Sequence, residues 1–192
     1  MRTATFTKLA VLTALAAASA LLGAARPAAA QGIPDTKKPT IGTVRAGLYF
    51  PFNSRAKNNV GKTWYDVGLD YTVHQTPGIS RTNISLDYIE RNSGGNDIRV
   101  VPLTVGQFTE HGEAGATVRP YYGFGLGVYF VHENVPNSIG VQENKNGTAF
   151  GGFLAAGLDL PSNFLIEGRY HIISNVGSVN AGGLQVMAGL RF

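Results

Sequence analysis

Thr63-Trp64-Tyr65-Asp66-Val67-Gly68-Leu69-Asp70-Tyr71-Thr72-Val73 alternates without a break. Tyr65, Val67, Leu69, Tyr71 and Val73 fall on one side of an extended chain, and Asp66, Gly68, Asp70 and Thr72 on the other. A period of two specifies a strand with one apolar and one charged face. The stretch before it repeats the pattern, setting Val44, Ala46, Leu48 and Phe50 against Thr43, Arg45, Gly47 and Tyr49. So does the chain end, with Leu184, Val186, Ala188, Leu190 and Phe192 against Gln185, Met187, Gly189 and Arg191.

Between these lie further alternating segments separated by Gly, Asn, Ser and Pro clusters, which makes the chain all-β. Eight strands are expected, over 41–50, 63–73, 80–90, 97–108, 116–131, 147–160, 163–173 and 183–192. Continuing the register through all eight predicts one face without charge. The opposite face gathers Arg45, Asp66, Asp70, Arg81, Asp87, Arg119, Asp159, Glu167, Arg169, His171 and Arg191.

Periodicity does not say which face is inside, and a soluble ligand-binding barrel would turn the apolar face inward. Strand length favours the reverse: ten residues at about 3.3 Å, tilted by about 40°, project roughly 25 Å, the apolar height of an outer-membrane barrel. Aromatics gather towards strand ends on the apolar face, at Phe50, Tyr65, Tyr88, Tyr122, Phe130, Phe150, Phe164 and Phe192, as interfacial girdles do. Connections 51–62, 91–96, 132–146 and 174–182 are longer on average than 74–79, 109–115 and 161–162, matching long outer loops and short periplasmic turns. The expected fold is therefore an eight-stranded antiparallel up-and-down transmembrane β-barrel over 40–192. Pro102 and Pro120 fall inside strands and lack the backbone donor, so either bulges are expected there or strand ends that differ from the bounds given.

Residues 1–30 have the order of a secretory signal peptide. Arg2 and Lys8 precede an uncharged stretch from Leu9 to Ala25, and Ala28-Ala29-Ala30 precedes Gln31. An uncleaved anchor helix is the alternative, short and poor in large side chains. Residues 31–39, with Pro34 and Pro39, read as a short periplasmic lead-in.

Composition fits this organisation. Charged residues make up 15% of the 192, glycines number 25 and cysteine is absent, which excludes a disulfide framework and thiolate metal sites. The net charge of +4 falls to +1 without Arg2, Lys8 and Arg26, and the remaining signs are interspersed, so no nucleic-acid footprint is expected.

With these residues in place the chain resembles the small eight-stranded outer-membrane β-barrel superfamily, the group of OmpW-like, OmpX-like and OmpA-barrel proteins. The resemblance is carried by Val101-Pro102-Leu103-Thr104-Val105-Gly106, by 119–129 (RPYYGFGLGVY) and by Ile166-Glu167-Gly168-Arg169-Tyr170-His171. The closing Met187-Ala188-Gly189-Leu190-Arg191-Phe192 resembles the family's assembly signal, carried here by Leu190 and Phe192, with Met187 where a glycine is expected. The resemblance implies location in the cell outer membrane, contact with outer-membrane lipid, and recognition of the last strand by the assembly machinery.

The charged face is expected to form an interior ladder of Arg45, Asp66, Asp70, Asp87, Arg119, Glu167, Arg169 and Arg191, with the aspartates pairing Arg45, Arg169 and Arg191. An eight-stranded barrel is just filled by side chains, so an open pore is not expected. Gly123-x-Gly125-x-Gly127 lacks the third glycine of a dinucleotide loop and is expected to make room for neighbouring side chains. His74, His111, His132 and His171 lack metal-ligand spacing. No cofactor, metal or catalytic set is expected, and the protein is read as not an enzyme.

The function expected is a structural or surface-interaction role, with a possible surface ligand at the outer loops, first at the polar 132–146. Two alternatives remain. An OmpW-like barrel passes a small apolar ligand through a gap in its wall, here sought at the prolines. A lipid A deacylase-like hydrolase is suggested by His171-Ile172-Ile173-Ser174-Asn175, which is similar to that family's His-x-Ser-Asn signature but one residue longer. In an extended strand that spacing puts histidine and serine on opposite faces, and no acidic residue follows Glu167.

Overall fold

The computed structural model describes residues 40–112, 116–136, 141–175 and 180–192. The expected signal peptide, and the lead-in 31–39, lie outside these. The strands are β1 (Gly42–Pro51), β2 (Trp64–Thr76), β3 (Ser80–Ser93), β4 (Asn96–Glu110), β5 (Arg119–Pro136), β6 (Gln142–Asp159), β7 (Phe164–Ile173) and β8 (Gly183–Arg191). They run up and down in chain order and close, because β1 pairs with β8 as well as β2. Phe192 completes the seam, its N–H donating to Gly42 O at 3.1 Å and its carbonyl accepting from Ile41 N at 2.8 Å. Closure leaves no strand edge along the ring, which satisfies the backbone without water. Among the described residues no helix is long and apolar enough to cross a membrane.

The two faces separate as charge dictates. Along β2, Trp64, Asp66, Gly68 and Asp70 are buried and Tyr65, Val67, Leu69 and Tyr71 are exposed. Along the rows nearest Thr40 and Phe192 the apolar positions face outward and most of the buried ionisable ones fill the ring. Charge nevertheless reaches the outer wall at one place. Glu90 and Arg99 stand on the outward face, bonded to each other at 3.1 Å, so the expected charge-free face ends there. Both lie at the end of the barrel away from Thr40 and Phe192, beyond the apolar rows, where water solvates them.

Connections at this far end differ from expectation. Residues 51–62 contain a helix, α1 (Ser54–Val60), started by Asn53, whose side chain accepts from Ala56 N at 3.1 Å, and ended by Gly61 at φ 108°. Ala56 and Val60, four apart on one face, are buried against Tyr49, Trp64, Ile89, Ile98 and Val100. The helix thus covers the far mouth over an apolar layer, where a packed polar interior was expected. Trp64 Nε1 donates to Gly61 O at 2.9 Å and Arg91 Nε to Val60 O at 3.2 Å, fastening it. The segment 132–146 is mostly strand, since β5 and β6 remain paired from His132↔Asn146 to Pro136↔Gln142. Only two residues, Gly94 and Gly95, join β3 to β4, and both have positive φ, as a tight hairpin requires. The connections expected at 91–96 and 132–146 therefore shorten as their flanking strands lengthen, while those expected at 51–62 and 174–182 keep their length.

Neither proline makes a bulge. Opposite β3 the ladder runs from Leu86↔Leu103 to Ile89↔Val100 in one register and omits the pairs at Val101 and Pro102, so the missing donor is absorbed as a gap. At Pro120 the strand end differs instead: β5 starts at Arg119 and not at 116, which makes Pro120 its second residue, and the Pro120 carbonyl accepts from His111 N at 2.8 Å. The register shift falls instead between Thr72 and His74 on β2, beside the hairpin to β3.

The glycines of β5 act as expected of spacers. A β-carbon on Gly125 would run into the Phe153 ring and come within 2.8 Å of Val105 O. Gly125→Val is expected to cost about 1–3 kcal/mol by overpacking, seen as a lower urea midpoint for the refolded barrel.

Candidate functional site

The barrel interior holds the chemistry, and its sequence origin is simple: every second residue of each strand points into the same tube. From the end holding Thr40 and Phe192, the first layer is Arg81, Glu110, Arg119, Asp159 and Arg191. Arg81 Nη1 lies 2.7 Å from Glu110 Oε1 and 3.9 Å from Asp159 Oδ2. Arg191 pairs with Asp159 and is 3.8 Å from Glu110. Arg119 is buried at the start of β5, beside Asp159 in register.

The middle layer joins two guanidiniums to three carboxylates. Arg45 Nη2 is 2.7 Å from Asp70 and 2.8 Å from Asp87, and its Nη1 is 3.2 Å from Glu167. Arg169 Nε is 2.6 Å from Glu167, with Nη2 and Nη1 each 3.6 Å from Asp70 and Asp87. Both arginine side chains have no exposed surface. Tyr121 Oη donates to Glu167 at 2.8 Å, and Arg169 lies 4.6 Å from the Phe153 ring centroid, so aromatics wall the ions on the remaining sides.

Above them runs a hydrogen-bonded chain. Gln185 Nε2 donates to Asp66, Gln185 Oε1 faces His171 Nε2 at 2.7 Å, and His171 Nδ1 faces Tyr129 Oη at 3.0 Å. Tyr49 Oη donates to the Ala181 carbonyl. The apolar cap under α1 follows.

The interior residues named from the sequence are thus all buried in the tube, but their pairing differs in two respects. Asp66 is bonded by Gln185 instead of by an arginine, because its position on β2 lies a layer above Arg45. Arg191 joins Asp159 and Glu110 instead of Asp66, Asp70 or Asp87, because it enters at the opposite end of β8 from Gln185. The expected ladder left out Glu110, Tyr121 and Gln185, the last already placed on the inner face, and their same-face position in their strands is the signal that finds them. Leu190 and Phe192 face outward on the closing strand.

His171 and Ser174 serve different elements. The His171 ring is inside, while Ser174 lies beyond the end of β7, where its Oγ accepts from Phe150 N at 3.1 Å. Among the described residues no group of acids and histidines is placed to hold a metal ion.

No family model matches the sequence, and no curated protein matches it. Solved structures do. The outer membrane enzyme PagL superposes with a TM-score of 0.57 at 16% identity, over 78% of this chain and 99% of that one. The N-terminal β-barrel domain of Pseudomonas aeruginosa OprF gives 0.53 at 14% identity, over 81% and 100%. The fold is that of the small eight-stranded outer-membrane β-barrels. At these identities the likeness is one of fold alone. Within that fold the tube of this barrel is filled in three levels, ionic, hydrogen-bonded and apolar, with a helix over one mouth.

Proposed function

We propose that the chain is an integral protein of the cell outer membrane that acts through its exposed end as a structural or surface-interaction protein, and neither as a pore nor as an enzyme. The observation that carries this reading is the inverted distribution of side chains: Val67, Leu69, Leu126 and Leu154 are about half exposed on the outer wall while Arg45 and Arg169 are fully buried. Such a surface is stable against hydrocarbon and costly against water. Aromatics at both ends of the apolar wall, such as Tyr65 and Phe150 at one and Phe164 and Phe192 at the other, fit the two interfaces.

The filled tube and α1 support the absence of a channel. The separation of His171 from Ser174 supports a role other than ester hydrolysis, since a serine nucleophile needs its base within hydrogen-bond reach. Outward Leu190 and Phe192 on the closing strand fit capture by the assembly machinery. The gap at Pro102 is the place in the wall where passage of a small apolar ligand would begin, but the register continues across it and Asp87 lies bonded to Arg45 behind it.

Gel mobility with and without boiling tests the membrane reading. A membrane-fractionated protein that runs faster unboiled and shifts on heating is the expected result. A protein that fractionates as soluble and shows no shift would overturn it.

A further inference from the structure

One strand, β6, outruns its neighbour on one side. It stays paired with β5 as far as Pro136↔Gln142, but its pairing with β7 stops at Gly151↔Ile173. Ser174 closes that ladder. Its N–H donates to Phe150 O at 2.9 Å, and its Oγ accepts from Phe150 N at 3.1 Å, where a continuing strand would offer a carbonyl. The described part of the return to β8 leads away from β6. Asn180 Nδ2 donates to Ile173 O at 3.1 Å, and Gly182 O accepts from Phe52 N, beside β1, at 2.9 Å.

The unpaired edge has a definite phase. Along a strand the N–H and C=O of one residue point to the same edge and those of the next to the other, so Thr148, Asn146, Asn144 and Gln142 face the way Phe150 faces. Pro136 agrees with this phase: it has no N–H to give, and it stands opposite Gln142, whose groups point away from β5. Among the described residues no strand or side chain meets the backbone groups on this edge. All the residues that present them are exposed. The row of Asn146, with Glu90, Arg99 and His132, is where charge appears on the outer wall, so the edge from there to Gln142 stands clear of the apolar band. Natural edges in water are commonly blunted by proline or by outward lysine. Here the edge residues are uncharged, and Lys145, on the other face, is held by Glu143 at 2.5 Å.

We propose that this edge is a docking site for an extended peptide segment of a partner protein, added antiparallel to β6 in the line that β7 leaves at Ser174. The inference rests on the surface-interaction reading above and names its partner class. A row of alternating donors and acceptors with no net charge beside it is matched by peptide backbone, and by neither an ion nor a charged polymer. The outward amides of Gln142, Asn144 and Asn146 and the hydroxyl of Thr148 suit a segment of polar and β-branched residues. A second copy in the same membrane does not meet the requirement, because its β6 descends in the same direction and could pair with this one only in parallel.

The test uses the full chain, refolded in lipid nanodiscs and first shown to be heat-modifiable. Amide hydrogen exchange, resolved by NMR, is followed as a short acetylated threonine–valine peptide is added. Before addition the amides of Asn144, Asn146 and Thr148 are expected to exchange freely, and those of Lys145 and Gly147, which face β5, to be protected. The peptide is expected to slow the first set at least about ten-fold and to leave the second unchanged. The same peptide N-methylated at every residue, which cannot donate, is expected to bind at least about ten-fold more weakly. Asn144→Pro removes one edge donor and spares the bonds to β5, so it is expected to keep the heat shift while weakening the unmethylated peptide. Equal binding of the two peptides, an unaltered Asn144→Pro, or edge amides protected before any peptide is added would each overturn the docking edge with the barrel reading intact. Protection that grows with protein concentration alone would make the occupant a second copy and overturn the partner. Loss of the heat shift in the unsubstituted chain would instead sink the membrane reading, and the outer docking edge with it.

Discussion

Arg45→Met is expected to destabilise the barrel by about 3–5 kcal/mol, read as a lower urea midpoint of the heat-modifiable form in lipid vesicles. Arg45 reaches Asp70 at 2.7 Å, Asp87 at 2.8 Å and Glu167 at 3.2 Å, and its side chain has no exposed surface. Two of those acids lie 3.6 Å from the remaining cation, Arg169. Removing Arg45 therefore leaves three carboxylates facing one guanidinium in a closed tube, where neither bulk water nor salt screens them. Methionine fills much of the volume, so the loss reports charge more than cavity. Asp87→Asn in the Arg45→Met background removes one unpaired acid and is expected to recover at least about 1 kcal/mol, a coupling that residues in contact show and distant ones do not. An unchanged midpoint in the single variant would mean that the network contributes nothing to stability.

Leu126→Arg is expected to cost about 2–4 kcal/mol in a bilayer. Leu126 lies midway along the apolar part of β5, opposite Val105 and Gly152, and is 48% exposed. Against hydrocarbon a guanidinium there must be desolvated or must thin the membrane around it; against water the same change would be nearly neutral. The magnitude thus separates a lipid-facing wall from a solvated one. Gln142→Arg, on the exposed far end of β6, serves as the control and is expected within about 0.5 kcal/mol of the unsubstituted chain. Equal, small effects at both positions would reject the lipid-facing wall even if the barrel itself folds.

The residues that were legible share one property, a strict local period. Tyr65 to Val73 could only be a strand with two unlike faces, and the same held for Val44 to Phe50 and Leu184 to Phe192, so strand number and the two sets of residues followed. Where the period breaks down, so did the reading. Ile89, Ile98, Val100 and Val131 line the far mouth although their outward neighbours include Glu90, Arg99 and His132, so here the apolar side is the inner one. Short helix α1 carried its signals, Asn53 before and Gly61 after with Ala56 and Val60 between, but seven residues are too few for a helical period to stand out against a polar connection.

The candidate sites divide in the same way. That Arg45, Asp70, Asp87, Glu167 and Arg169 share the tube is written in the alternation of their strands. Which of them meet is set by the stagger between β1, β2, β3 and β7, a relation between segments far apart in the chain. Arg99, His132 and Asn146 likewise become neighbours only through the registers of β4, β5 and β6.

By itself, then, the amino-acid sequence determined eight strands, their two faces and the residues on each, because alternation is a local consequence of backbone geometry. The tertiary structure alone decided the layer at which each charge sits, the partners of Asp66 and Arg191, and the helix over the mouth. Those depend on how the ring closes and by how many residues each strand is displaced along its neighbour, and a displacement between paired strands leaves no trace in the period of either one.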